Sequence, residues 1–165
     1  MKIELVYMNP GQGADPEELS KVILARFGLL PRKKDAKAGF HNLLIELYER
    51  KKKANHEKKP DLSIMTVEEM GAISGIKRQT MYDYLRRWTS TQILKKTSII
   101  NNGAVTTGYE LNGTNLEASF KKAEAIIHEH VNKSIDIVKE LQNEIKKEKL
   151  RKKEDIEEPE EITQD

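Results

Sequence analysis

The stretch from Leu116 to Ile145 constrains this chain more than any other. Leu116, Phe120, Ala123, Ile127, Val131, Ser134, Val138, Leu141 and Ile145 recur at steps of 4, 3, 4, 4, 3, 4, 3 and 4 residues. Such steps keep side chains on one face of an α-helix. The pattern is heptad-like, with a stutter between Ile127 and Val131. Thr114-Asn115-Leu116-Glu117 stands before it in capping-box form, and the helical pattern runs to about Lys153. At about 1.5 Å per residue, the helix is on the order of 50 Å long. The rest of a 165-residue chain is too small to cover that stripe. The spacing therefore predicts a partner helix, most simply from a second copy. Leu116, Phe120, Ile127, Val131, Val138, Leu141 and Ile145 are the candidate dimerisation residues.

Several classes of protein are excluded by what the chain lacks. It has no cysteine, so disulfides, thiolate zinc sites and a thiol nucleophile are ruled out, in keeping with a reducing, cytoplasmic setting. No run of 18 apolar residues occurs, and Met1 to Pro10 has no long apolar core. Neither a membrane span nor a signal peptide is expected. Gly11-Gln12-Gly13 precedes acids rather than Lys-Ser/Thr, so it is no phosphate loop. His128 and His130 fall on different sides of a helix and do not make a metal pair. No Ser-His-Asp or paired-carboxylate constellation emerges. Neither a metal, a cofactor nor enzymatic activity is expected.

Charge is unevenly distributed. Residues 1–30 carry 3 Lys/Arg and 4 Asp/Glu, residues 31–100 carry 16 and 8, and residues 101–165 carry 10 and 15. A net +8 middle between weakly acidic flanks suits a polyanionic partner. Plain solvation by lysine is the alternative, so the motifs must decide.

The middle of the chain reads as short helices followed by a hairpin. Lys2–Met8 suggests a strand. Asp15-Pro16-Glu17-Glu18 starts a helix that stops near Gly28. A helix from Asp35 to Asn55 carries Phe40, Leu43, Leu44, Leu47 and Tyr48 on one stripe. Its basic run Arg50-Lys51-Lys52-Lys53 suits either phosphate contact or the negative end of the helix dipole. Thr66-Val67-Glu68-Glu69 is a capping box opening a short helix. Gly75 supplies a turn, and a second helix runs from about Lys77 to Trp88. Ile93–Ile100 and Val105–Leu111 form strands about Asn101-Asn102-Gly103.

Thr66 to Trp88 thus has helix-turn-helix form, with Met70, Ile73, Ile76, Met81, Tyr84, Leu85 and Trp88 inward. Arg78, Gln79, Tyr82, Asp83 and Arg86 are left outward on the second helix. Arg and Gln carry the hydrogen-bonding forks that read guanine and adenine edges. Asp83 suits either a cytosine amine or the steadying of Arg86 or Arg87. Lys95 and Lys96 suit phosphate contact at the hairpin base. The hairpin tip has no arginine, so minor-groove insertion is not expected of it.

Gly75-Ile76-Lys77-Arg78-Gln79-Thr80-Met81-Tyr82-Asp83-Tyr84-Leu85, with Gly108-Tyr109-Glu110-Leu111, resembles winged-helix regulators of the TrmB-like and MarR/PadR-like kinds. The resemblance covers about Phe40 to Leu111. Lys77 stands where such motifs often place a capping Ser or Thr, and Gly71 where Ala is usual. Over 165 residues no room is expected for the sugar-binding domain of full TrmB proteins, so sensing of that kind is not carried over.

The resemblance over its span, with the periodicity and composition of the rest, leads to the expectation of a mainly α chain. It has a winged helix-turn-helix domain with a small β-hairpin wing, and a long C-terminal dimerisation helix. Residues 1–30 form an N-terminal extension and residues 31–113 the DNA-binding domain. Residues 114–153 form the coiled-coil-like helix and residues 154–165 a disordered acidic tail. The expected partner is double-stranded DNA, bound through Lys77, Arg78, Gln79, Tyr82, Arg86, Lys95, Lys96, Arg50 and Lys51. The expected function is sequence-specific regulation of transcription by a homodimer, more often repression, in the cytoplasm at the nucleoid. An architectural or segregation protein, or a protein-docking module, is the alternative. No effector is indicated.

Overall fold

The computed structural model of the chain describes residues 8–31 and 39–157. The order is α1 (Pro16–Arg26), α2 (Phe40–Glu57), a 3-10 turn (Pro60–Ser63), α3 (Val67–Ser74), α4 (Arg78–Ser90), β1 (Leu94–Asn101), β2 (Ala104–Leu111) and α5 (Leu116–Glu157). The fold is mainly helical, with one two-stranded antiparallel hairpin and a long C-terminal helix. The strand expected at Lys2–Met8 lies, Met8 apart, outside the described residues. So do Asp35–Ala38, where α2 was expected to begin.

Local chemistry sets the helix ends. The Asp15 carboxylate accepts from the Glu18 amide at 2.8 Å and Pro16 occupies the first turn. Thr66 and Glu69 form a complete capping box on α3. Gly75 closes α3 at φ +70, a conformation in which a Cβ is strained. Gly71 has a different reason. A Cβ there would stand 2.6 Å from the Ile76 carbonyl oxygen, so the turn can pass close to α3 only over a glycine.

At α5 the cap differs from expectation. The helix begins at Leu116, and the Asn115 side chain accepts from the Ala118 amide at 2.8 Å. Asn115 is the cap, not Thr114. Glu117, expected to reach back in a capping box, instead pairs with Lys121 at 3.0 Å, one turn on. The helix also continues four residues past Lys153, to Glu157. Residues 158–165, the rest of the acidic tail, lie outside the described residues.

One apolar core joins α1 to α4, the hairpin base and the start of α5. It includes Leu24, Leu29, Phe40, Leu43, Leu47, Met65, Met70, Met81, Leu85, Trp88, Ile93 and Leu111. Phe40 meets Trp88 and Tyr84 edge-on, with ring centroids 5.5 and 5.2 Å apart. The N-terminal helix covers part of this core through Leu24, with Ile23 packed against it. Met65, just before α3, exchanges two backbone hydrogen bonds with Tyr109 of β2, at 2.9 and 2.8 Å. That bridge pins the hairpin beside α3.

The stripe on α5 is divided. Leu116, Phe120 and Ala123 pack on the core, and Phe120 meets Phe27 edge-on at 5.0 Å. For these positions the compact part does supply cover. Val131, Val138, Leu141 and Ile145 are exposed. Packing separates the chain into two units, with the boundary between Glu124 and Ala125.

Candidate nucleic-acid interface

Helix α4 is amphipathic: Met81, Leu85 and Trp88 are buried, while Lys77, Arg78, Gln79, Tyr82, Asp83 and Arg86 are exposed. The two sets alternate at helical spacing, so burial of the first directs the second outward. Gln79, Tyr82, Asp83, Arg86 and Thr89 line a shallow open groove of about 500 Å³, closed on one side by Tyr109 of β2.

The arginines of this face are held rather than loose. Arg78 Nε lies 3.0 Å from a Glu68 carboxylate oxygen, and its Nη2 donates to the Tyr82 hydroxyl at 3.4 Å. Its guanidinium also sits 5.9 Å from the centroid of the Tyr82 ring. Arg86 pairs with Asp83 at 3.7 Å, one of the two roles expected of Asp83. Both arginine side chains are largely exposed, each with one acidic neighbour.

The hairpin separates two lysines that the sequence sets side by side. Lys96 stands opposite Tyr109 and Lys95 opposite Glu110. Neighbours in a strand point to opposite faces, so Lys96 shares a hairpin face with the groove residue Tyr109, and Lys95 shares the other with Glu110. Further along the Lys96 face come Ser98 and Thr107, hydroxyls 3.0 Å apart, then Ile100 opposite Val105. Ile100 and Val105 are exposed. Asn102 and Gly103, both at positive φ, make the two-residue turn.

Arg50 and Lys51 are paired within the framework, with acids other than those beside Arg78 and Arg86. Arg50 donates to Glu46 at 2.9 Å, to Glu69 at 3.3 Å and to the Ile64 carbonyl at 3.3 Å, so it ties α2 to α3. Thr66 and Arg50 hold Glu69 below the usual carboxylate range against the opposing effect of burial. Lys51 reaches the buried Glu110 at 3.3 Å. Glu110 also accepts from Ser63 and from Lys95, the latter at 3.0 Å. Burial raises the pKa of Glu110, but these donors outweigh it and hold the carboxyl below its usual range. The cations of this hub are balanced within the protein.

Four groups here escaped the sequence reading: Glu68, Thr89 and Tyr109 beside the α4 face, and Glu110 beneath the hairpin. Glu68 looked like an ordinary first-turn acid, and nothing in its spacing signals its partner ten residues on. Among the described residues, no group of three or more His, Asp or Glu is placed to hold a metal, and no helix is long and apolar enough to cross a membrane. Comparison with family models, curated proteins and solved structures finds no match.

Proposed function

We propose that this chain is a sequence-specific DNA-binding regulator of the winged helix-turn-helix kind. In this reading α3 and α4 are the motif, β1–β2 is the wing, and α4 enters the major groove. The observation that carries the reading is the outward face of α4. Arg78, Gln79, Tyr82 and Arg86 share one exposed side of a helix whose other side is anchored by Met81, Leu85 and Trp88. Arg78 and Gln79, in the first turn, suit guanine and adenine edges, and Tyr82 and Arg86 flank them. Lys77 and Lys96 suit phosphates on either side. Arg50, Lys51 and Lys95 act behind this face as framework.

The protein acts as a homodimer through the exposed part of α5 and grips two half-sites at once. Occupancy of the duplex is then the mechanism, with repression as its outcome, at the nucleoid in the cytoplasm. The test is selection of bound sequences from a random duplex pool by the purified protein. Enrichment of a two-fold related site supports the reading. Binding of all sequences alike, with a steep salt dependence, makes the protein architectural.

A docking module for another protein is the second reading. Ile100 and Val105 favour it, as a facing apolar pair exposed at the hairpin tip. Absence of any duplex binding would select it.

A further inference from the structure

From Ile127 to Ile145 the stripe of α5 keeps one heptad register, which Glu148 and Lys152 continue as polar positions. Val131, Val138 and Ile145 recur every seven residues, and Ile127, Ser134 and Leu141 recur four residues before each. The first set occupies the a positions and the second the d positions. The two successive four-residue steps that make the stutter meet at Ile127, between Ala123, in the core, and Val131, on this free face. Val131, Val138, Leu141 and Ile145 are each between 45% and 57% exposed, so little besides their own helix covers them. Ile135 and Ile137 flank the seam and are also exposed.

We infer that this face is covered by the same helix of a second copy, in parallel and in register, as a two-stranded coiled coil. The inference rests on the dimeric reading above and adds orientation and register to it. Three observations select this occupant. β-Branched Val131, Val138 and Ile145 fill the a positions and Leu141 stands at d between the last two, the combination that favours two parallel strands. Ser134 is the polar residue of the seam between Ile127 and Ile145, and its hydroxyl donates to the His130 carbonyl of its own helix at 2.8 Å. It therefore enters the seam with its hydrogen bond already made.

The third observation is charge. Glu144 is at a g position and Lys149 at the e position five residues on. In a parallel, in-register pair, g of one helix meets the following e of the other, so Glu144 and Lys149 meet twice, with opposite charge. Within one helix, residues five apart do not face each other. Glu129–Lys133 and Asp136–Lys139 pair along the outer face, and Glu144, which meets Lys147 of its own helix at 2.6 Å, shares its carboxylate with the second chain's Lys149 in this arrangement.

The chain has no cysteine, so single thiols report pairing without background. Ser134→Cys and Glu148→Cys place thiols at two d positions without removing an apolar seam residue. Asp136→Cys places one on the outer face. Full-length variants are first weighed by light scattering at micromolar concentration, then oxidised with glutathione disulfide and run on non-reducing gels. A two-chain mass, with covalent dimers from both Ser134→Cys and Glu148→Cys and far less from Asp136→Cys, is the expected result. An antiparallel pair has one crossing point, so it can link at most one of the two seam positions to its own copy. A two-chain mass with only one or neither linking overturns the parallel register and leaves the dimer standing. A monomer overturns both, and a three- or four-chain mass overturns the two-stranded form.

A charge swap supplies a second measurement. Glu144→Lys and Lys149→Glu should each weaken dimerisation by about two- to fivefold, and the double swap should restore it. Failure of the double swap to restore removes the Glu144–Lys149 contact and the register built on it.

Discussion

Arg78 on α4 and Glu68 on α3 form an ion pair of 3.0 Å across the turn that joins the two helices. Both side chains are largely exposed, so the pair adds little to stability. Its consequence is for binding: a polyanion approaching α4 meets Arg78 with an acid already beside it. Glu68→Gln should tighten binding to random duplex more than to the selected site, so the ratio between them falls. The affinity of both variants for each duplex, measured across a salt series, checks this. Equal gains on both duplexes would show that Glu68 acts only through net charge.

Lys95 and Lys96 should separate in the same assay. Lys96→Ala removes a cation from the face shared with Tyr109, and should flatten the salt dependence of binding by roughly 0.9 in log–log slope. Lys95→Ala removes a donor to Glu110, and should lower the melting temperature while leaving that slope unchanged. The opposite assignment of effects would mean that the hairpin presents its other face to the ligand.

Glu110 should make stability depend on pH. Its carboxyl is held below the usual range in the folded protein, so its contribution is complete above the unfolded-state value. That contribution is lost as pH falls through the lowered, folded-state value. Glu110→Gln should therefore be less stable than the parent at neutral pH, and the two should converge in acid. Glu110→Ala leaves Lys51, only 15% exposed, without its partner, and should cost about 3 kcal/mol or more. Urea unfolding of all three proteins between neutral and acidic pH reads these differences. A constant gap between parent and Gln variant at every pH would remove Glu110 as the titrating group.

Gly71→Ala tests the passage of the turn. The new Cβ would press on the Ile76 carbonyl, and the variant should lose about 1–3 kcal/mol in urea unfolding. Ala at this position is therefore harmful here, although a helix interior ordinarily prefers it. No loss would mean that α3 and the turn have room to move apart.

These contrasts show which parts of the fold were legible in the sequence. Asp15, Thr66 and Gly75 act on backbone three or four residues away, and local spacing was enough to find them. The amphipathic division of α4 was equally clear from periodicity. Asn115 was obscured because Thr114 and Glu117 also fit a capping-box pattern, and only the hydrogen bond to Ala118 separates them. Lys52 and Lys53 of the basic run are exposed, whereas Arg50 and Lys51 have partners, Glu69 and Glu110, that come from distant positions in the chain. Lys95 and Lys96 looked equivalent until the register set one against Glu110 and the other against Tyr109. Phe120 belonged by spacing to the exposed seam, yet Phe27 claims it for the core. Local periodicity exposes a face, and it takes the tertiary fold to say what meets that face.

The claim that α4 reads duplex DNA is tested most directly on the sequence enriched from a random pool. The purified protein, Arg78→Ala and Gln79→Ala are titrated against the enriched duplex and a random one by fluorescence anisotropy. The parent should prefer the enriched duplex by about a thousandfold or more. Each substitution should cost about 1–3 kcal/mol on that duplex and little on the random one. A pool that yields no enriched sequence, or substitutions that weaken both duplexes equally, would contradict base reading by this face.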